Sequence, residues 1–98
     1  MAVASFAPTA SFDMSVTQQS QNVALPTTGT PTIAFVENLG EQIIYVALVA
    51  SGTAQVSPRQ GLAVYPRTPP FPLTIGANTN IAAVTLAGVC GLNVTVGN

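Results

Sequence analysis

Six residues carry the side chains best suited to acid–base, nucleophilic or ion-pair chemistry in this 98-residue chain. They are Asp13, Glu37, Glu41, Arg59, Arg67 and Cys90. The chain has no His and no Lys. A Ser or Cys nucleophile needs a neighbouring base, and Schiff-base chemistry needs a Lys, so these common catalytic arrangements are excluded.

The three carboxylates are the remaining candidates for general acid–base catalysis or metal binding. A glycosidase-type pair would have to come from Asp13, Glu37 and Glu41. Glu37 and Glu41 flank Asn38-Leu39-Gly40, a sequence typical of a turn, so we predict a hairpin over residues 36–43 with both acids at a solvated tip. A metal ion there would need further ligands from carbonyl groups or Asn38, and this alternative is less favoured. We therefore predict no metal, no cofactor and no catalytic residue.

Cys90 lies in a stretch of small residues, 87–91, between two predicted strands. No basic residue is near it in the sequence to promote the thiolate, which favours the role of a small hydrophobic residue. One cysteine cannot form a disulfide within the chain.

Charged residues make up only 5% of the chain and hydrophobic residues 48%, with a net charge of -1. Soluble domains are typically about 25% charged. So few positive charges cannot neutralise many phosphates, which argues against nucleic acid as a partner. The longest apolar run, residues 43–50, is far shorter than the roughly 20 residues of a membrane-spanning helix. Residues 1–8 lack the basic segment of a signal peptide, so none is predicted.

The sequence predicts an all-β fold. Leu92, Val94 and Val96 alternate with polar residues, the period of two expected of a half-buried strand. Short strands separated by Gly- and Asn-containing turns indicate a single small β-sandwich of about eight strands, jelly-roll or Ig-like, or a small barrel. The other strands are predicted at 15–17, 23–25, 32–36, 42–49, 53–56, 62–65, 73–75 and 81–86.

Two segments depart from this pattern. Residues 1–14 lack clear alternation, and we predict an extended N-terminal arm there, with the sandwich domain over 15–98. Residues 66–72 contain four prolines and cannot form a central strand. They are predicted to form an extended connection or edge segment that presents Arg67 and Phe71.

Three features favour a protein whose surface is covered by neighbouring subunits in an assembly. They are the low charge, the apolar residues on both faces of strands 32–36 and 42–49, and the aromatic residues on an arm. An Arg guanidinium group can pair with a carboxylate of a neighbouring subunit, although a solvated surface charge is an equally simple role. We therefore predict a homodimer or homotrimer. The candidate protein-interface residues are Phe6, Phe12, Arg59, Arg67 and Phe71.

Residues 25–26, 31–40, 44–48, 76–84 and 92–96 form a pattern of strands and turns that resembles small virion proteins associated with the heads of tailed bacteriophages, of the capsid decoration or cement type. The similarity covers roughly residues 22–98. It implies a β-sandwich or jelly-roll-like subunit, made in the host cytoplasm. Such a subunit binds the major capsid protein on the capsid exterior and stabilises contacts between capsomers. The family supplies no catalytic residue.

Two other functions are considered. A tail, fibre or connector module of a phage, binding a receptor or a protein partner, shares the same expected fold. A sugar site would favour exposed aromatics beside Asn, Asp or Glu, and the chain has few aromatics and no Trp. A small enzyme is the least favoured, because His and Lys are missing.

Overall fold

The structure, a computed structural model, describes residues 7–57 and 59–98. These residues form eight strands and contain no helix that could cross a membrane. The strands are β1 (Pro8–Val16), β2 (Gln21–Ala24), β3 (Ile33–Asn38), β4 (Ile44–Val49), β5 (Leu62–Val64), β6 (Phe71–Thr74), β7 (Asn80–Thr85) and β8 (Cys90–Gly97).

The strands form two antiparallel sheets of four that pack face to face. The first sheet has the order β1-β8-β3-β6, and the second has the order β2-β7-β4-β5. The chain resembles one long hairpin that starts at the β4–β5 loop and is folded over on itself. Outward from this loop, the successive strand pairs are β4–β5, β3–β6, β2–β7 and β1–β8. The pairs β3–β8 and β4–β7 then complete the two sheets. This is a jelly roll, so the predicted small β-sandwich is confirmed and the Ig-like alternative is not adopted.

The main core lies between the sheets and follows the predicted alternation. Leu92, Val94 and Val96 are fully buried, whereas the intervening Asn93 and Thr95 lie on the outer face of β8. Full burial of such side chains stabilises the fold by about 1.5–3 kcal/mol each. The strongest contributors from the other strands are Val16, Val36, Ile44, Val46 and Ile81.

A second apolar cluster lies outside the second sheet. Tyr45 of β4 and Ala82 and Val84 of β7 point away from the main core, yet all three are buried against Val56 of the β4–β5 loop. The loop thus forms a third layer over this sheet. Residues 42–49 were predicted to be apolar on both faces, and the chain's own β4–β5 loop covers part of the second face.

Asn22 of β2 holds this loop in place. Its amide nitrogen donates hydrogen bonds to the carbonyl oxygens of Ser51 (3.0 Å) and Ala54 (2.8 Å), and its carbonyl oxygen accepts one from Asn80 (2.8 Å). Ser20 adds a contact from its hydroxyl oxygen, which accepts a hydrogen bond from the Val56 amide at 3.0 Å. A β2 side chain thereby connects the loop to the sheet beneath it.

Replacement of Asn22 by alanine should detach this layer. We expect a loss of about 2 kcal/mol in the free energy of unfolding, because two carbonyl groups lose their donor and Asn80 loses its acceptor. Urea unfolding measures the loss, and faster hydrogen exchange at residues 51–57 locates it. Gln55→Ala removes an exposed side chain from the same loop and should change neither measurement. Equal stability of the two variants would contradict the anchoring role.

The N-terminal boundary differs from the prediction. Residues 8–14 belong to β1, which pairs with β8 along most of its length, so the sandwich begins at Pro8 and not at residue 15. Polar residues alternate with apolar ones in this strand, but Pro8, Thr9 and a register irregularity between Pro8 and Ala10 obscure the pattern at its start. Residues 1–6 of the predicted arm lie outside the described residues.

Two local predictions are wrong. Residues 36–43 do not form a hairpin, because β3 lies in the first sheet and β4 in the second, and the chain crosses between the sheets at this corner. Residues 53–56 do not form a strand: they belong to the β4–β5 loop, where Val56 packs on the outer cluster instead of pairing in a sheet. The prediction for the proline-rich segment holds in part: residues 71–72 lie on β6, at an edge of the first sheet, whereas residues 66–67 form a turn in which Arg67 has a φ of 61°.

Candidate interaction surfaces

Four loops lie side by side at one end of the sandwich. Because every strand pair is antiparallel, the ends of β1, β3, β5 and β7 meet the starts of β2, β4, β6 and β8 there. The sheet orders place the loops in a row: 17–20, then 86–89, then 39–43, then 65–70. Hydrogen bonds connect the row, including one from the Gln18 side chain to the Leu86 carbonyl (3.0 Å) and one from the Leu39 amide to the Gly91 carbonyl (2.8 Å).

Exposed apolar side chains concentrate at this end. Of the six large hydrophobic residues exposed in the described part of the chain, five lie on these loops or directly beside them; Leu62 is the exception. The exposed fraction reaches 70% for Val89 and 54% for Leu39. We call this surface the apolar end, and define it by Leu39, Tyr65, Phe71, Leu86 and Val89.

The β3–β4 corner in the middle of this row is built on a buried side chain. Asn38 is only 5% exposed, and its amide nitrogen donates to the carbonyl oxygens of Gln42 and Val64. Its carbonyl oxygen accepts from the Gly40 amide and from the Cys90 thiol. All of its hydrogen-bonding groups are therefore satisfied inside the corner, which fixes the position of Leu39.

An ion pair joins two loops of the apolar end. Nη2 of Arg67 lies 2.9 and 3.1 Å from the two carboxylate oxygens of Glu41. Both side chains are largely exposed, at 79% and 74%, so the pair contributes less than about 1 kcal/mol. Arg67 was a candidate partner for a carboxylate of a neighbouring subunit, but in the structure its partner lies in the same chain. The apolar end is consequently close to neutral.

The other predicted interface residues fall in different places. Phe6 lies outside the described residues. Phe12 is part of β1 and packs against the main core, so the sandwich itself accommodates it. Phe71 is 48% exposed at the start of β6 and belongs to the apolar end. Arg59 is exposed on the β4–β5 loop, on the side of the second sheet, with a φ of 68°.

Asp13 and Glu37 lie on the outer face of the first sheet, where sequence reasoning did not place them together. Both are in register with Asn93, one on each side, so the three form a row across β1, β8 and β3. Asn93 donates to Asp13 at 2.7 Å and to Ser11 at 3.2 Å. The Asn93 side chain is thus hydrogen-bonded to its neighbours and lies between the two carboxylates. The row is therefore a hydrogen-bonded polar surface and not a pair of carboxylates in direct contact.

A shallow groove of about 340 Å³ lies on this face beside the row. Its walls combine an aromatic ring, a proline, a carboxylate, an amide and a hydroxyl group. Pro70 comes from the loop before the edge strand β6, and the other residues come from β3 and β8. The alternation of residues in β3 predicts that Phe35 and Glu37 face outward. It does not predict that Pro70 lies beside these two residues. The lining residues are Phe35, Glu37, Pro70, Asn93 and Thr95.

Cys90 lies in the core, as predicted. It is 2% exposed, and its thiol donates a hydrogen bond to the Asn38 side chain at 3.1 Å. Within residues 7–57 and 59–98, no three His, Cys, Asp or Glu side chains lie close enough together to hold a metal ion.

Comparison of the chain with protein-family models, with curated proteins and with solved structures gave no match. The function is therefore inferred from two surfaces of the molecule. One is the apolar end, and the other is the acidic groove on the first sheet.

Proposed function

We propose that the chain is a structural subunit of a bacteriophage particle, a capsid decoration protein that binds the major capsid protein on the outside of the shell as a homo-oligomer. In this role the protein stabilises contacts between capsomers and needs neither a cofactor nor a catalytic residue. The resemblance of residues 22–98 to head-associated virion proteins supports the type of particle.

The apolar end is the observation that carries this proposal. Isolated exposed hydrophobic residues are common on monomers, but a row of them on adjacent loops marks a protein-binding surface. Tyr65, Phe71 and the aliphatic residues of this end can desolvate together on a partner, and the Arg67–Glu41 pair leaves no net charge to oppose it. Specific protein contacts bury about 800 Å² on each partner, so attachment would involve all four loops and not one of them alone.

A single charge at the apolar end should weaken attachment to capsids. Val89→Asp alters a side chain that is 70% exposed, so the sandwich should fold normally. We expect at least a tenfold higher Kd for particles that lack the protein, because a Val buried on binding contributes about 1.5–3 kcal/mol and an added carboxylate must be desolvated. Co-sedimentation with such particles measures the change.

Ala77→Asp is the matched control, since it adds the same charge to an exposed turn at the opposite end. It should bind like the unmodified protein. Equal binding by both variants would show that the apolar end is not the attachment surface. Cryo-electron microscopy of intact particles distinguishes the alternative: density for the protein on the tail, fibre or connector would assign it to that structure instead of the head.

A further inference from the structure

The five charged residues are divided between three places on the molecule. Arg67 and Glu41 neutralise each other at the apolar end. Asp13 and Glu37 face outward from the first sheet. Arg59 remains, on the loop that covers the second sheet. The outer face of the first sheet is therefore acidic, whereas the loop over the second sheet carries a single cation.

The groove on the first sheet has the chemistry of an Arg-binding site. Among the described residues none forms a hydrogen bond or ion pair with the half-buried carboxylate of Glu37. Asp13 lies two strands from Glu37, on the far side of Asn93, and adds negative potential to this face. Phe35 and Pro70 provide apolar walls against which the methylene groups of an Arg stem can pack. A planar guanidinium group suits a carboxylate placed beside such walls.

Arg59 is presented as such a ligand. It lies in an exposed turn closed by a hydrogen bond from the Gln60 amide to the Ser57 carbonyl at 3.0 Å. No carboxylate in the part of the chain that the structure describes pairs with it. Its own chain cannot bring it to the groove, because the turn and the groove belong to opposite layers of the sandwich.

We infer that Arg59 of one copy binds in the Glu37 groove of the next copy. This contact deepens the proposed function, since it supplies the homo-oligomer that the decoration role requires. The two surfaces are different, so the contact is heterologous: each copy contributes Arg59 on one side and a groove on the other. Such contacts close into a ring or continue as a chain, and the apolar end remains available for the capsid.

Charge exchange tests the contact in solution, without capsids. The protein should self-associate in analytical ultracentrifugation, and added salt should weaken the association. Glu37→Arg and Arg59→Glu should each raise the Kd for self-association at least tenfold, and the double variant should restore it. Glu41→Arg makes the same charge change outside the contact and should leave association unaltered.

Two further variants separate the contact from a folding defect and establish its polarity. Arg59→Gly removes the side chain from a position with a φ of 68°, which glycine tolerates better, so its melting temperature should be unchanged or higher while association is lost. Glu37→Gln and Arg59→Gln should each be monomeric alone, but their mixture should form a 1:1 dimer through the one intact contact.

Several results would overturn the inference: a monomeric unmodified protein at 100-micromolar concentration (about 1 g/l), full association of either single charge variant, or no restoration by the double variant. These results concern association only. Capsid binding by Val89→Asp is measured separately, so the decoration role and the Arg59 contact can fail independently.

Discussion

Asn38→Ala should lower the free energy of unfolding by about 4 kcal/mol, because the side chain is buried and makes four hydrogen bonds. The Asn38 amide group satisfies two carbonyl oxygens, one backbone amide and one thiol at the corner between the sheets. Alanine removes this partner from all four groups, although the Cys90 thiol also donates to the Gln42 carbonyl oxygen at 3.5 Å. Each buried polar group that loses its hydrogen bond costs about 1–3 kcal/mol.

Urea unfolding of the Asn38→Ala variant measures this loss as a lower midpoint with an unchanged slope. Gln42→Ala is the matched control, because its exposed side chain belongs to the same corner while its backbone carbonyl, which accepts from Asn38, is retained. The control should lie within about 0.5 kcal/mol of the unmodified protein. A loss below about 1 kcal/mol for Asn38→Ala would mean that water replaces the amide at this corner.

Gly40→Ala should cost about 3 kcal/mol, for a steric reason. A Cβ atom at residue 40 would overlap the Cys90 sulfur and would lie 3.3 Å from the Cys90 Cα atom. The sulfur is buried beneath the corner. Either the corner must move away from β8, which weakens the Leu39–Gly91 hydrogen bond, or the thiol must leave its position beside Asn38.

A double-mutant cycle identifies the origin of this cost. Cys90→Ala removes the overlapping sulfur, so Gly40→Ala in that background should cost about 1 kcal/mol or less. The remaining cost comes from the Cys90 Cβ atom, which also lies 3.3 Å from the new methyl group. Additive effects of the two substitutions would show that the corner is sensitive to residue 40 for another reason.

Both predictions concern the corner that positions the apolar end. Leu39 and Glu41 lie within it, and Asn38 and Gly40 hold its backbone against β8 and β5. A change in the corner should therefore alter capsid attachment as well as stability. A variant such as Val89→Asp should change attachment alone, because its side chain is exposed.

The sequence was sufficient to predict the strands in which one face is buried. The alternation of Leu92, Val94 and Val96 reflects local geometry, since successive side chains of a strand point to opposite faces. β3 and β4 were predicted instead from runs with apolar residues on both faces. The strand predicted at residues 53–56 was wrong, because Val56 is buried by packing over the outer cluster and not by pairing with another strand.

The assignment of strands to sheets could not be predicted from local pattern. A short segment that contains Asn and Gly can connect two strands of one hairpin or two strands of different sheets equally well. Here the burial of the Asn38 side chain favours the connection between the two sheets. Asn38 looked like an ordinary turn residue, because nothing in the neighbouring sequence shows that Val64 and Cys90 are its partners. The charged residues were likewise identified, but their grouping into a pair, a groove and a lone Arg depends on long-range topology.

The nesting of the strands also dictates when the fold can form. β8 lies between β1 and β3 in the first sheet, so β1 has no partner within that sheet until residues 90–97 have left the ribosome. Such long-range pairing is slow, which leaves the chain exposed to off-pathway association until β8 has paired with β1. A nascent chain halted before Cys90 should be degraded readily by proteases, whereas release of the last strand should convert it to a resistant form.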